Sequence, residues 1–450
     1  VLSKGGAEVM SAGIDAWAKE QLAAYKYRRI VEVVSALRMT ATGKVLKREL
    51  AQPAPRLDLR RPNMPNFSDF NMHIYLAGLN GEKPGYPVAY SDLEALAAEK
   101  LDPVLYDYVA GGAGDEVTQR GNVTAFERWG IVPRMLSGAA ERDLSVELFG
   151  RRYPTPLMMA PIGVVGIMHE SRHGDLEVAK AAAATGVPMV ASTLTQDPME
   201  DVAAALGDTP GFYQLYTPND RELAESFVRR AEAAGYAGIV VTLDTWSLGW
   251  RPRDLRHATM PQLQGLCLAN YFSDPVFRSR LEKTPEKDPA AATFAWALTF
   301  GNPALSWDDL AWLRGLTSLP LLLKGICHPD DVRRARDGGV DGVYCSNHGG
   351  RQAASAPALD FLPAVVAAAE GMPVIFDSGV RTGVDVVKAL ALGATAVAVG
   401  RPYGWGITLG GAAGAEHVLR CLLAEADLTM GLNGYRSISD LGPDVLVRVP

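Results

Sequence analysis

From about residue 155 the chain alternates short apolar runs with longer stretches of helical periodicity. The apolar runs fall at 157–160, 188–191, 211–215, 238–243, 320–324, 342–346, 373–377 and 396–400. Each is apolar almost throughout, the pattern of strands buried on both faces. Between them, 175–185, 220–234, 330–337 and 384–392 carry helical patterns. Eight strand-helix units in succession predict an α/β fold, a closed (β/α)8 TIM barrel. One connection breaks the rhythm. Between Leu243 and Leu321 lies a long insertion after strand four, with Trp250, Asn270-Tyr-Phe-Ser-Asp274 and Glu282-Lys-Thr-Pro-Glu-Lys-Asp288. Its aromatic first half predicts a lid, and its charged stretch a solvated one.

Upstream the pattern is less regular. Ser91 is placed to cap a helix with Leu93, Leu96 and Leu101 on one stripe. Asp102-Pro103 should end that helix and open a second. The second runs into Tyr106-Asp-Tyr-Val-Ala-Gly-Gly-Ala-Gly114, whose glycines follow a helix and so form no dinucleotide fingerprint. Residues 51–64 are proline-rich and charged and predict a linker, with the barrel domain over 65–450. Residues 1–50 stand apart, with helical spacing at 14–24 and a strand candidate at 30–34. Their Gly43-Lys44 pair lacks the upstream glycine and the following Ser or Thr of a P-loop. Thr40-Ala-Thr-Gly-Lys44 resembles instead the end of the C-terminal domain of adenylate-forming acyl-CoA synthetases. By that resemblance Lys44 matches the lysine at the acyl-adenylate. The large nucleotide-binding domain of that family has no counterpart in these 450 residues. A small α+β remnant is therefore expected, with a docking segment of a scaffold or binding fusion as the alternative.

Composition narrows the function classes. The chain is 48% hydrophobic and 21% charged, ordinary for a globular enzyme. A net charge of −7 and a pI near 5.6 favour neither nucleic acid nor anionic membrane as partner. No apolar run nears the roughly 20 residues that span a bilayer. The start, Val1-Leu-Ser-Lys-Gly-Gly6, has no signal pattern and no initiator Met. A cytoplasmic protein is expected, and a fragment or an alternative start codon. Cys267, Cys327, Cys345 and Cys421 form no CxxC pair and are expected to be free buried thiols.

In such a barrel the site forms at the C-terminal ends of the strands. Those ends carry Pro161, Ser192, Gln214 with Tyr216, Thr242 with Asp244, Lys324, and Asn347 with His348. They continue with Asp377, Gly379 and Arg381, then Gly400 and Arg401. His348 exchanges a proton near neutral pH, and Arg351 offers a planar fork to a carboxylate or phosphate. A base three residues from an anion clamp points to chemistry beside a carboxylate; a solvated loop with an incidental His is the alternative. Strands seven and eight end where barrels commonly bind phosphate, although Arg401 before Pro402 is also suited to capping a helix. Lys324 either snorkels or stabilises a developing anion. Asp244 either caps a turn or partners a histidine. His169-Glu-Ser-Arg-His173 has the spacing of a zinc motif. Gly174 and the expected N-cap Asp175 interrupt the helix that zinc binding requires, so no metal is expected.

Ser346-Asn-His-Gly-Gly-Arg-Gln352, Asp377-Ser-Gly-Val-Arg381 and Tyr213-Gln-Leu-Tyr216 together resemble one family. It is that of the FMN-dependent L-2-hydroxy acid oxidases and dehydrogenases, glycolate oxidase and lactate oxidase among them, matched over roughly residues 65–440. The long insertion and Leu243-Asp-Thr-Trp-Ser-Leu-Gly-Trp-Arg-Pro-Arg-Asp254 look most like lactate 2-monooxygenase. The resemblance implies an FMN enzyme that oxidises a small L-2-hydroxy acid, expected to be L-lactate, with O2 as acceptor. Acetate, CO2 and water are the expected products. A keto acid with peroxide, or electron transfer to a quinone or protein, are the alternatives. It further implies His348 as the base, paired with Asp244. Arg351, Arg251 and Tyr108 would hold the carboxylate, Tyr216 the hydroxyl, and Leu194 would set side-chain size. Lys324 would sit beside the flavin N1–O2 edge. Flavin contacts would come from Ala160, Pro161, Ser192, Gln214 and Thr242. Asp377 would meet the ribityl chain, and Gly379, Arg381, Gly400 and Arg401 the phosphate. A homotetramer or larger assembly is also implied.

Overall fold

The structure, a computed structural model, describes residues 66–449. The remnant expected at residues 1–50, with Lys44, and the linker at 51–64 lie outside the described residues.

Eight parallel strands pair in chain order and close into a barrel. They are β1 Leu157–Met159, β2 Met189–Ala191, β3 Gly211–Leu215, β4 Ile239–Thr242, β5 Leu321–Lys324, β6 Gly342–Cys345, β7 Val374–Phe376 and β8 Ala396–Val399. The seam joins β8 to β1, with Val397 opposite Leu157 and Val399 opposite Met159. Every strand residue is buried, which accounts for the unbroken apolar runs. Pro188, Pro320 and Pro373 stand just before β2, β5 and β7, where a missing N–H costs no ladder bond.

The pleat positions the site. Met158, Val190, Phe212, Val240, Leu322, Tyr344, Ile375 and Ala398 form a core inside the barrel. A strand returns to the same face every two residues. The next inward layer is therefore Ala160, Ser192, Gln214, Thr242, Lys324, Ser346, Asp377 and Gly400. A dry apolar layer thus carries a polar one above it. The alternate residues face the helices in a second, larger core. At the opposite end a hairpin of Val146–Leu148 and Arg151–Tyr153 adds Leu148 and Tyr153 to the inner core. Its Phe149 meets Phe212 edge-on at 6.1 Å.

Several local expectations need correction. The first helix beside the barrel is Tyr90–Lys100, so Ser91 lies inside it and Ala89 is the N-cap. Leu93 and Ala97 form its buried stripe, four residues apart, while Leu96 is 42% exposed. Asp102 does cap the helix Pro103–Ala110, accepting from the Val104 and Leu105 amides. The N-cap of the helix Gly174–Thr185 is His173, so Asp175 is a buried first-turn carboxylate that accepts from Gln196 N at 2.7 Å. His169 and His173 lie before it, outside the helix. His169 Nδ1 pairs with Ser171 Oγ at 2.8 Å, and His173 Nδ1 with Asp197 at 2.6 Å. All four cysteines are free, but only Cys267 and Cys345 are buried. The insertion carries several helices. It includes Pro252–His257, Ala269–Phe272, Pro275–Ser279 and Pro289–Phe300, and Asn270 and Tyr271 are fully buried. Among the described residues no helix is long and apolar enough to cross a membrane.

Candidate active site

Asp244 follows β4 and reaches across the barrel mouth to His348, which follows β6. Asp244 Oδ1 lies 2.8 Å from His348 Nδ1. Thr245 Oγ1 donates to the same carboxylate oxygen at 2.9 Å and stands 3.2 Å from the imidazole. His348 holds a left-handed φ of 58°, followed by Gly349 at 66° and Gly350 at 76°. A β-carbon in that region costs about 1–2 kcal/mol, so the loop must be held. The His348 amide donates to Ser346 Oγ at 3.0 Å, and the Gly349 amide to Ser378 Oγ at 3.0 Å. Asn347 and Asn122 exchange two amide hydrogen bonds at 2.8 and 2.9 Å.

Lys324 at the end of β5 is 2% exposed, so it does not snorkel. Its ammonium donates to Ser346 Oγ at 2.9 Å and stands 3.6 Å from Asp377 and 4.0 Å from Asp244 Oδ2. Burial alone would raise the Asp244 pKa, but the His348 and Lys324 charges outweigh it and hold the carboxyl well below its usual range. Burial pushes His348 down, Asp244 pulls it up, and Lys324 and Arg251 push it down again; the net direction is down. The resting pair is therefore a carboxylate and a neutral imidazole with Nδ1 occupied, the state a proton acceptor needs.

Lys324, Arg251, Arg351, Arg381 and Arg401 all line one open cavity of about 1050 Å3, against a single lining carboxylate, Asp377. Arg351 donates to the carbonyl oxygens of Val109 and Gly111, and Arg401 to those of Val109, Ala110 and Gly111. Both arginines thus cap the C-terminal end of the helix Pro103–Ala110, where unsatisfied carbonyls carry partial negative charge. The capping role considered for Arg401 is realised on a helix remote in sequence. Arg351 lies 5.4 Å and Arg251 6.0 Å from the Tyr108 ring, and Arg381 lies 4.7 Å from that of Tyr90. Burial, then the neighbouring arginines, lowers both Arg351 and Arg401. A cavity with this excess of cations, Lys324 and Arg251 buried and the other three partly so, suits anions, one near Tyr108 and one near Tyr90.

The polar layer fits a flavin. Gln214 Nε2 and Thr242 Oγ1 are buried and have no hydrogen-bond partner within the protein. A Cβ on Gly400 would enter open space, so its absence leaves room above β8. Gly379 has φ 90°, and a Cβ there would lie 2.2 Å from the Asn122 carbonyl oxygen, so only glycine lets this loop close. Ser192 donates to Gln214 Oε1 at 3.1 Å, fixing which end of that amide faces up. Ala160, Pro161, Leu194 and Tyr216 line the same cavity.

A model of the family described as FMN-dependent dehydrogenase matches residues 97–448. The chain belongs to the FMN-dependent dehydrogenase family. It is 42% identical over 390 residues to an FMN-dependent alpha-hydroxy acid dehydrogenase of Penicillium citrinum, covering 85% of this chain and 96% of the relative. It is 41% identical over 377 residues to an L-lactate oxidase of Lysinibacillus sphaericus, covering 83% and 96%. A solved (S)-mandelate dehydrogenase from Pseudomonas putida, a soluble mutant, superposes with a TM-score of 0.71 at 34% identity, over 80% of this chain and 99% of that one. The chain thus acts by FMN-dependent oxidation of a 2-hydroxy acid.

The structure brings every residue expected at the site to one barrel mouth, and adds others. Ser346 joins Lys324 to the His348 loop; its place two residues after Tyr344 was the available signal. Gln262 is fully buried, accepts from the Tyr108 hydroxyl at 3.4 Å and donates to the Gly163 carbonyl at 3.1 Å. Met260 and Phe300 also line the cavity. All three lie in the insertion, where nothing in the sequence marks them.

Proposed function

We propose that this protein oxidises a small L-2-hydroxy acid, L-lactate in the first place, with O2 as acceptor. One observation carries the reading: His348, backed by Asp244, faces Arg251, Arg351 and Tyr108 within one cavity. The likeness to L-lactate oxidase supports lactate. FMN, when bound, supplies the two-electron acceptor. Gln214, Thr242, Ala160, Pro161, Ser192 and Lys324 would hold the ring, Asp377 the ribityl chain, and Gly379, Arg381, Gly400 and Arg401 the phosphate. The substrate carboxylate pairs with Arg251 and Arg351, which orients the carbinol carbon toward His348. The free imidazole nitrogen takes a substrate proton, and Asp244 stabilises the imidazolium. Burial pushes the Tyr216 phenol well up, so it stays protonated and donates to the substrate oxygen.

Lactate 2-monooxygenase activity is the second reading. The observation favouring it is that the insertion supplies Arg251, Met260, Gln262 and Phe300 to the cavity. Such a wall would delay keto-acid release, so that peroxide decarboxylates pyruvate in place to acetate, CO2 and water. Anaerobic mixing with L-lactate should bleach the flavin absorbance. Aerobic turnover then separates the two readings: free pyruvate with stoichiometric peroxide marks an oxidase, and acetate a monooxygenase. A flavin that no 2-hydroxy acid bleaches would refute both.

A further inference from the structure

A second cavity, with about 1110 Å3 of empty space, opens between the ends of β4 and β5 and the helix Leu310–Gly315. Leu305, Trp307, Leu310, Leu313, Leu323 and Ile326 give it an apolar wall, and Asp244, Thr217, Thr242, Asn302, Ser306 and Asp331 a polar one. It shares three residues with the substrate cavity: Tyr216, Thr245 and Phe300. These three form the partition between the two spaces. Two of them are tied by hydrogen bonds, the Tyr216 amide to Thr193 Oγ1 at 2.9 Å and Thr245 Oγ1 to Asp244 at 2.9 Å. Phe300 ends the helix Pro289–Phe300, and its ring packs 5.1 Å from Tyr216 and 5.2 Å from Trp296.

We infer that Phe300 sets the side-chain length of the substrate, and that the apolar wall of the cavity behind it is an acyl subsite, separated from the substrate by that ring, for 2-hydroxy acids with longer aliphatic chains. The inference rests on the proposed function and adds its specificity determinant. The carboxylate end is fixed by Arg251, Arg351 and Tyr108, and the carbinol by His348 and Tyr216. That leaves the side chain to the apolar lining, chiefly Ile162, Leu194, Leu248, Met260 and Phe300. Leu194 is backed by the Gly163 backbone, 3.3 Å from a Cβ built there. Phe300 belongs also to the second cavity, so its ring is the stop that has space beyond it. A methyl group fits in front of the ring, and a longer chain meets it.

The test is the rate of anaerobic flavin bleaching, per unit substrate concentration, for lactate, 2-hydroxyhexanoate and 2-hydroxyoctanoate. Each methylene that enters the second cavity should improve the preference roughly fourfold. Phe300→Ala should therefore shift the octanoate-to-lactate ratio by at least about tenfold. Phe300→Val should give a smaller shift and guards against a poorly folded alanine variant. Phe300→Leu, which keeps most of the bulk, should give little. Leu305→Trp, placed on Phe300→Ala to fill the second cavity, should reverse the gain. An unchanged ratio in Phe300→Ala and Phe300→Val proteins that lactate still bleaches would overturn the inference and leave the proposed function standing. A wild-type flavin bleached by no 2-hydroxy acid would remove both.

Discussion

Replacing Asp244 by Asn separates the charge of the His348 partner from its shape. The side-chain amide of Asp244→Asn would keep an oxygen where the carboxylate oxygen now lies, 2.8 Å from Nδ1, so the imidazole retains its orientation. What disappears is a negative charge that matters little while His348 is neutral and much once it is protonated. A hydrogen bond between charged partners contributes about 1.5–3 kcal/mol more than none at all. Concentrated in the proton-transfer step, that predicts anaerobic bleaching by L-lactate slowed roughly 10- to 160-fold. The sign of the pH effect follows from the same pair. Asp244 is the largest influence raising His348, and burial already holds it below its ordinary value. Removing the charge moves the acid limb of the bleaching rate to still lower pH. The imidazole is neutral in both proteins at pH 8, so the deficit persists there. Stopped-flow bleaching from pH 5 to 9, on protein shown to be flavin-loaded, measures both effects. A rate within threefold of wild type, or an acid limb moved upward, would refute the pairing.

Three other substitutions test separate parts of the site and its surroundings. Arg351→Lys keeps the charge but loses the planar guanidinium, whose Nη1 donates to both the Val109 and the Gly111 carbonyl; KM for the hydroxy acid should rise about 10-fold or more, with a smaller change in bound flavin. Lys324→Met leaves Asp244 and Asp377 without their shared cation; the flavin reduction potential should fall, as read by dye equilibration. Burial, reinforced by Asp197, raises Asp175 from 3.8 to about 7. The folded protein keeps that proton where the unfolded chain loses it, so this contribution is present in acid and lost as pH rises through about 7. A shift of roughly three units corresponds to about 4 kcal/mol at full ionisation, so Asp175→Asn should raise the melting temperature more at pH 8 than at pH 5. Equal changes at both pH values would contradict a buried ionisation there.

The barrel was legible because fully buried strands leave unbroken apolar runs, and its polar layer because the pleat repeats every two residues. Ser192, Gln214, Thr242, Lys324 and Asp377 follow from those two rules alone. Ser346 obeys the same rule, but the neighbouring histidine and arginine draw the eye to the loop instead. Gln262 and Phe300 were invisible for a different reason. They come from helices of the insertion whose docking depends on tertiary packing, such as Phe300 against Trp296 and Tyr216. The left-handed His348 was hidden as well, since only glycines advertise that conformation. The stripe in Tyr90–Lys100 failed because three-residue and four-residue spacings are equally helical; packing on the helix Arg401–Leu432 selected Ala97 over Leu96.

The central claim is that His348 is the base acting beside a bound flavin. It is put at risk by anaerobic mixing of flavin-loaded His348→Ala with L-2-hydroxy acids, with wild type alongside. The expected result is a folded, yellow protein whose absorbance the substrate no longer bleaches, while dithionite still does. Bleaching by substrate at a rate near that of wild type, or loss of bound FMN in a folded protein, would contradict it.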